Sequence, residues 1–78
     1  MNIKPIAPNQ TEIHKDDGTI VFISYKTPVA AFDAGVAKWI RSEEKYSVTT
    51  SKHVNKWLLG IRSETVPQAQ IDALMVST

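Results

Sequence analysis

The sequence contains no cysteine and three glycines, which lie far apart at positions 18, 35 and 60. Without cysteine the chain has neither disulfides nor thiolate metal ligands, and disulfide content says nothing about its redox compartment. The scattered glycines exclude a glycine-rich loop of the kind that holds a nucleotide phosphate. No stretch approaches the roughly 20 apolar residues that a membrane-spanning helix needs.

Charge is nearly balanced, with nine lysines and arginines against eight aspartates and glutamates, and a formal net charge of +1. A chain so close to neutrality has no strong overall attraction for nucleic acid or a membrane surface, so electrostatic binding must come from a local patch. The first eight residues lack the apolar region of a secretory signal peptide. We therefore expect a cytoplasmic protein, in a cell or in the host of an infecting element, with no membrane partner.

Seventy-eight residues with 42% apolar composition predict one small domain over residues 1–78. We expect an α+β fold in which residues 1–10 are an extended N-terminal lead-in, with Ile3 and Ile6 on the body of the domain. A small antiparallel β-meander of three or four strands then precedes two α-helices that cover one face of the sheet. The predicted strands are residues 11–15, 19–25, 29–33 and 36–42, and the predicted helices are residues 50–59 and 66–76.

The strongest strand signal is residues 19–25, which read Thr-Ile-Val-Phe-Ile-Ser-Tyr and are almost entirely β-branched or aromatic. Asp17-Gly18 before them favours a two-residue hairpin loop, because this pair accepts the positive φ angles of a tight turn. Such a loop places Ile13 opposite Phe22, on the same face of the sheet. Apolar residues on both faces indicate either a central strand or a strand covered by helices on one side and by a partner on the other.

The segment from residue 29 to residue 42 fits either a helix or a second hairpin. Its alanines, together with Phe32, Val36, Trp39 and Ile40, could form a helix. Asp33-Ala34-Gly35 instead suggests a three-residue turn with glycine in the left-handed conformation. Alternation also favours a strand after this turn, with Val36, Lys38, Ile40 and Ser42 on one side and Ala37, Trp39, Arg41 and Glu43 on the other. We prefer the hairpin.

Residues 47–60 have the pattern of a short amphipathic helix. Thr49 or Thr50 is the expected N-cap, and Gly60 is the expected left-handed residue at the other end. Helical spacing predicts a buried face of Val54, Trp57, Leu58 and Ile61. The opposite, exposed face carries Lys52, Asn55, Lys56 and Leu59.

Cations and hydroxyls are concentrated around the start of this helix. Free amides of the first turn, three hydroxyls and a nearby ammonium make a candidate anion or phosphate site. Trp39 and Tyr46 are interleaved with further cations, and basic side chains beside aromatic rings suit nucleic acid. The alternative is that the hydroxyls only cap the helix, the lysines are solvated and both rings belong to the core. The candidate binding residues are Lys38, Arg41, Lys45, Thr49, Thr50, Ser51, Lys52, Asn55 and Lys56.

The sequence contains no recognisable catalytic constellation. His14 and His53 lie in different predicted elements, and neither has metal-ligand spacing to a carboxylate. Ser51 and His53 are two residues apart on a helix and point in different directions, with no acid to orient a base. We therefore expect no enzyme activity, no metal and no cofactor.

Two strings of residues resemble a known family. Residues 22–31 read Phe-Ile-Ser-Tyr-Lys-Thr-Pro-Val-Ala-Ala, and residues 45–58 read Lys-Tyr-Ser-Val-Thr-Thr-Ser-Lys-His-Val-Asn-Lys-Trp-Leu. Both are similar to a group of short, uncharacterised proteins from tailed bacteriophages and their prokaryotic hosts, a domain of unknown function. The similarity runs from about Pro8 to Leu74. It implies a phage origin, a strand pair around a glycine between the two strings, and no defined activity.

Three functional hypotheses follow. The first is a non-enzymatic phage accessory protein that contacts nucleic acid through the helix start at Thr49 and its lysine face. The second is a protein-directed binding module, either an inhibitor or adaptor acting on a host protein or a homodimer. Its basis is the near-neutral charge and a strand that is apolar on both faces. The third is a structural component of the virion.

Overall fold

The protein, seen in a computed structural model, is described over residues 2–76, with Val76 described by its backbone alone. The described elements are β1 (Asn2–Ala7), β2 (Gln10–His14), β3 (Ile20–Ser24), β4 (Thr27–Asp33), β5 (Lys38–Ser42), α1 (Val48–Trp57), β6 (Glu64–Val66) and α2 (Gln68–Val76). The strands form one sheet in the order β1-β2-β3-β4-β5-β6. Pairing is antiparallel from β1 to β5, and β6 lies parallel to β5. The α+β class is confirmed, but three or four strands were too few.

Residues 29–42 form a hairpin and not a helix. β4 and β5 pair antiparallel, with Phe32 opposite Trp39 and Asp33 opposite Lys38. The turn therefore spans residues 34–37, and its left-handed residue is Ala37, at φ 54°, instead of the expected Gly35. Asp33 Oδ1 accepts a hydrogen bond from the Gly35 N–H at 2.9 Å, which is the way aspartate commonly starts a turn.

The first hairpin has a different register from the predicted one. Lys15 N–H donates to Thr19 O at 2.8 Å, so the loop has three residues and ends on Gly18 at φ 95°. A three-residue loop of this kind closes with glycine in the left-handed region. Ile13 consequently lies opposite Val21, and Phe22 points to the other face of the sheet.

The predicted lead-in is instead an edge strand. β1 pairs with β2, with Ile3 opposite Ile13 and Pro5 opposite Thr11. Ile3 and Ile6 do not rest on the body of the domain, since 63% and 40% of their surfaces are exposed. The prolines that suggested an irregular segment are tolerated because an edge strand hydrogen-bonds on one side only.

The two helices cover opposite faces of the sheet, which contradicts the prediction that both lie on one face. α1 lies in the connection from β5 to the parallel β6, where a crossover segment is required. α2 follows β6 directly and packs against β4 on the other face. Neither the three-residue strand β6 nor the change of face was predicted, and α2 begins at Gln68 instead of residue 66.

Alternate residues of the central strands point to opposite faces of the sheet and pack into two separate cores. The α2-side core contains Ile13, Val21, Ala31, Ile40, Val66 and Ile71, with Leu74 and Met75 packed against it as the spacing of α2 requires. The α1-side core contains Phe22, Val29, Ala30, Val54 and Leu58. Val29 is the extra residue of a bulge, because Phe22 pairs with Ala30 while Ile23 pairs with Pro28. Both faces of the sheet are thus buried at its centre.

Candidate nucleic-acid interface

Helix α1 begins two residues before the predicted start. Its N-cap is Ser47, an extended residue whose Oγ accepts a hydrogen bond from the Thr50 N–H at 3.2 Å. Thr49 and Thr50 are therefore not the cap. The first turn contains no acid, and Lys56 lies in the last turn, where the helix dipole favours a cation. Gly60 has the expected left-handed backbone, at φ 73°.

The orientation of α1 agrees with the predicted amphipathic pattern. Val54 and Leu58 are buried against the sheet, and Trp57 and Ile61 pack at the margin of that contact. The opposite face is exposed at Lys52, Asn55, Lys56 and Leu59. Because residues three and four apart are neighbours on a helix, Lys52, Asn55 and Lys56 form one contiguous polar surface.

Thr50 is not on that surface. It is buried, and its Oγ1 lies 3.3 Å from the hydroxyls of both Ser24 and Ser47. Ser24 Oγ also lies 2.9 Å from His53 Nδ1, and 1% of Ser24 is exposed. This polar cluster joins α1 to the end of β3 and removes Thr50 from the candidate binding residues. The partner of His53 is thus Ser24, which sequence spacing did not suggest.

A second polar contact holds the other end of α1. The Trp57 indole N–H donates to Glu12 Oε2 at 2.7 Å, and His14 Nε2 lies 2.9 Å from Glu12 Oε1. Burial raises the pKa of Glu12, but the hydrogen bonds from Trp57 and His14 outweigh burial and bring the pKa below its usual 4.5. Sequence reasoning did not find this contact because 45 residues separate Glu12 from Trp57.

Loss of the Glu12 charge should weaken the attachment of α1. A carboxylate whose pKa is lower in the folded state stabilises the fold above its unfolded pKa, and this stabilisation disappears as the pH falls through the folded pKa. We expect Glu12→Gln to lower the free energy of unfolding by about 1 kcal/mol at pH 7, and the difference from wild type to shrink below pH 4.5. Urea unfolding at pH 7 and pH 3 measures both values.

Glu44→Gln is the matched control for this experiment, since Glu44 lies exposed in the connection before α1. This variant should unfold like the wild type at both pH values. A Glu12→Gln difference that stays constant from pH 7 to pH 3 would contradict a role for the carboxylate charge.

A row of aromatic rings runs beneath α1 toward the end of the sheet. Phe22 stacks on Trp57 with ring centres 4.9 Å apart, and Trp57 meets Trp39 edge-on at 5.5 Å. Trp39 in turn contacts Phe32 at 4.8 Å. Trp39 and Tyr46 are partly buried and pack against the α1-side core, as the core interpretation of these two rings expects.

The candidate cations divide between two places. Arg41 Nη2 donates to Asn55 Oδ1 at 3.0 Å, which brings β5 beside the exposed face of α1. Lys38 alternates with Arg41 on β5 and instead pairs with Glu64 at 3.3 Å, so it does not join the lysines of α1. Lys45 lies exposed in the connection before α1, Thr49 is exposed in the first turn, and Ser51 is half-buried there.

A groove of about 410 Å³ lies where β5 begins. It is lined by Ala37, Lys38, Trp39, Arg62, Ser63 and Glu64. Arg62, which was not among the predicted binding residues, lies in this groove beside Trp39, which the sequence had already placed among cations. The position of the groove on the sheet could not have been predicted without β6, which contributes Glu64.

Within residues 2–76, neither helix is long and apolar enough to cross a membrane. In the same described range, no three histidine, aspartate or glutamate side chains lie close enough together to hold a metal ion.

Comparisons with known proteins identify a family and no characterised relative. A search of curated proteins found no match, and a search of solved structures found none. The sequence model of a family of unknown function, DUF8033, matches residues 1–73. Because this match covers nearly the whole chain, the protein belongs to the family of unknown function DUF8033.

Proposed function

We propose that this protein is a non-enzymatic accessory protein that binds nucleic acid through the exposed face of α1 and the adjoining Arg41. The observation that carries the proposal is an acid-free segment. Residues 45–63 contain Lys45, Lys52, Lys56 and Arg62 and no aspartate or glutamate. In a chain of net charge +1, this segment is a local basic patch of the kind that phosphates attract.

The basic face comprises Lys52, Asn55 and Lys56 of α1 together with Arg41. Lys52 and Lys56 are exposed, and like charges four apart on a helix are unfavourable by about 0.2–0.5 kcal/mol when nothing neutralises them. A bound phosphate relieves that repulsion. Asn55 holds the Arg41 guanidinium at the edge of the same surface, so three cations face one side of the domain. Thr49 lies at the margin of this face.

Neutralising the two helix lysines should weaken binding and make it less dependent on salt. Each lost phosphate contact reduces the slope of log K against log salt by about 0.9 on duplex DNA and about 0.7 on single strands. We expect Lys52→Gln/Lys56→Gln to reduce the slope by about 1.8 and about 1.4, respectively. Fluorescence anisotropy of labelled oligonucleotides across a salt series measures both slopes.

Lys4→Gln/Lys26→Gln is the matched control, because both lysines are exposed and lie outside the basic face. It makes the same change in net charge and should leave the slopes nearly unchanged. Equal effects of the two double variants, or no binding by the wild type at low salt, would reject the proposed function.

The second candidate is a protein-directed module, favoured by the exposed apolar residues of β1.

The free edge of β1 is poorly suited to adding a strand from a partner. Backbone groups of odd-numbered residues on β2 face β3, as the bond from Lys15 to Thr19 indicates. Ile3 and Pro5 lie opposite odd-numbered residues and turn their backbone groups to the free edge. Pro5 has no N–H to donate there, which disfavours the addition of another strand. We therefore rank this candidate second.

A phage setting supports either candidate. The resemblance of residues 22–31 and 45–58 to short phage proteins suggests that the chain acts in the cytoplasm of an infected cell. No feature of the described residues specifically favours a structural role in the virion.

A further inference from the structure

We infer that the groove beside β5 is a stacking site for an unpaired nucleobase, with Trp39 as the platform and Arg62 as the contact for the adjoining phosphate. This inference rests on the proposed function and adds a preference for single strands over duplexes. The residues that line the groove include Lys38, Trp39, Arg62 and Glu64.

Trp39 is held in place before any ligand arrives. Trp57 meets its ring at 5.5 Å between centres and Phe32 at 4.8 Å, while part of the side chain remains at the groove. A fixed aromatic ring costs little conformational entropy when it receives a base. Stacking on such rings accepts every base, because each has a π-face.

Charge in the groove favours the phosphate of the same nucleotide. Arg62 is exposed and makes no hydrogen bond or ion pair with the residues that the structure describes. Lys38 and Glu64 pair at 3.3 Å with more than half of each side chain exposed, and such pairs are weak. Two cations and one acid leave the groove with a net charge of +1. A guanidinium also matches phosphate geometry with paired hydrogen bonds.

The groove adjoins the basic face along β5. Trp39 and Arg41 are two residues apart on this strand and so share a face of the sheet, about 7 Å apart along the strand. Arg41 then leads to Asn55 and the lysines of α1. One strand of nucleic acid can follow phosphates along the basic face and place a base on Trp39. Bases paired inside a duplex cannot reach the ring.

The two tryptophans of the chain provide the test. In Trp57→Phe, which keeps a ring on Phe22, emission reports Trp39 alone, and in Trp39→Phe it reports Trp57 alone. We expect single-stranded oligo-dT to quench Trp57→Phe with saturation and to leave Trp39→Phe unchanged. A duplex of equal length should not quench either variant. Adding Arg62→Gln to Trp57→Phe should reduce the salt slope on single strands by about 0.7.

Anisotropy measured on the same samples separates the possible failures. Binding of oligo-dT without quenching of Trp39, or quenching by duplex equal to that by single strands, would overturn the stacking site while the basic face stands. No binding of either oligonucleotide at low salt would overturn the stacking site and the proposed function together.

Discussion

Replacing Phe22 with alanine is expected to leave most of the protein unfolded at 25 °C. Phe22 is fully buried and stacks on Trp57 in the α1-side core. Removal of a buried phenylalanine side chain usually costs about 3–5 kcal/mol. A single core in a domain of this size rarely supplies more than about 3–5 kcal/mol of stability, so one such loss is comparable with the total.

Circular dichroism would show the unfolding as a loss of secondary-structure signal, and one-dimensional proton NMR as a collapse of chemical-shift dispersion. Phe22→Leu keeps part of the side chain and should remain folded with a lower urea midpoint. Leu59→Ala is the control, since Leu59 is 79% exposed and its loss should change stability by less than about 0.5 kcal/mol. A Phe22→Ala protein as stable as Leu59→Ala would show that Phe22 is not in the core.

Ile71→Ala is also expected to lower the free energy of unfolding strongly. This variant tests the position of α2. Ile71 is fully buried in the α2-side core beside Val21 and Ile40. Truncation of a buried isoleucine to alanine typically costs about 2–5 kcal/mol. Two contacts outside this core also hold α2: Lys15 Nζ donates to Leu74 O at 2.6 Å, and Gln68 Nε2 donates to Pro28 O at 2.8 Å.

Urea unfolding followed by tryptophan emission gives the cost of Ile71→Ala. Both tryptophans lie on the α1 side of the sheet, so circular dichroism on the same samples follows the unfolding of the α2 side. Gln70→Ala, an exposed change on the same helix, should have almost no effect. A cost below about 1 kcal/mol for Ile71→Ala would contradict a helix on each face.

Sequence patterns predicted the middle of the chain well. β2 to β5 and α1 agree with the expected elements to within two residues, because alternation, turn residues and helical spacing are local signals. The buried stripe of α1 was also predicted, since Val54, Trp57, Leu58 and Ile61 recur at helical spacing and so share one face of the helix.

Strand pairing and the placement of the helices could not be predicted from such local signals. β1 and β6 become strands by pairing with β2 and β5, and their own residues carry weak strand signals or, at Pro5, an opposing one. The loop before Thr19 has three residues instead of two, which places Ile13 and Phe22 on opposite faces and not on one, because side chains alternate along a strand. A strand that is apolar on both faces also does not say which helix covers which face.

The helical pattern predicted which face of α1 is exposed, but it did not predict the contacts of the candidate residues. Lys52, Asn55 and Lys56 are exposed, as the helical pattern required. Thr50 is buried, with its hydroxyl 3.3 Å from that of Ser24, and alternation along β5 separates Lys38 from Arg41. The contact between Thr50 and Ser24 joins residues that are 26 apart in sequence, which helical periodicity alone does not bring together.

A nitrogen–proton correlation spectrum of the labelled protein, recorded during titration with single-stranded oligo-dT at low salt, tests the nucleic-acid interface on α1 directly. We expect amide shifts to concentrate on Lys52, Asn55 and Lys56 and on neighbouring Arg41, with the Trp39 indole also moving. Shifts confined to β1, or a spectrum unchanged by saturating oligonucleotide, would contradict a nucleic-acid interface on α1.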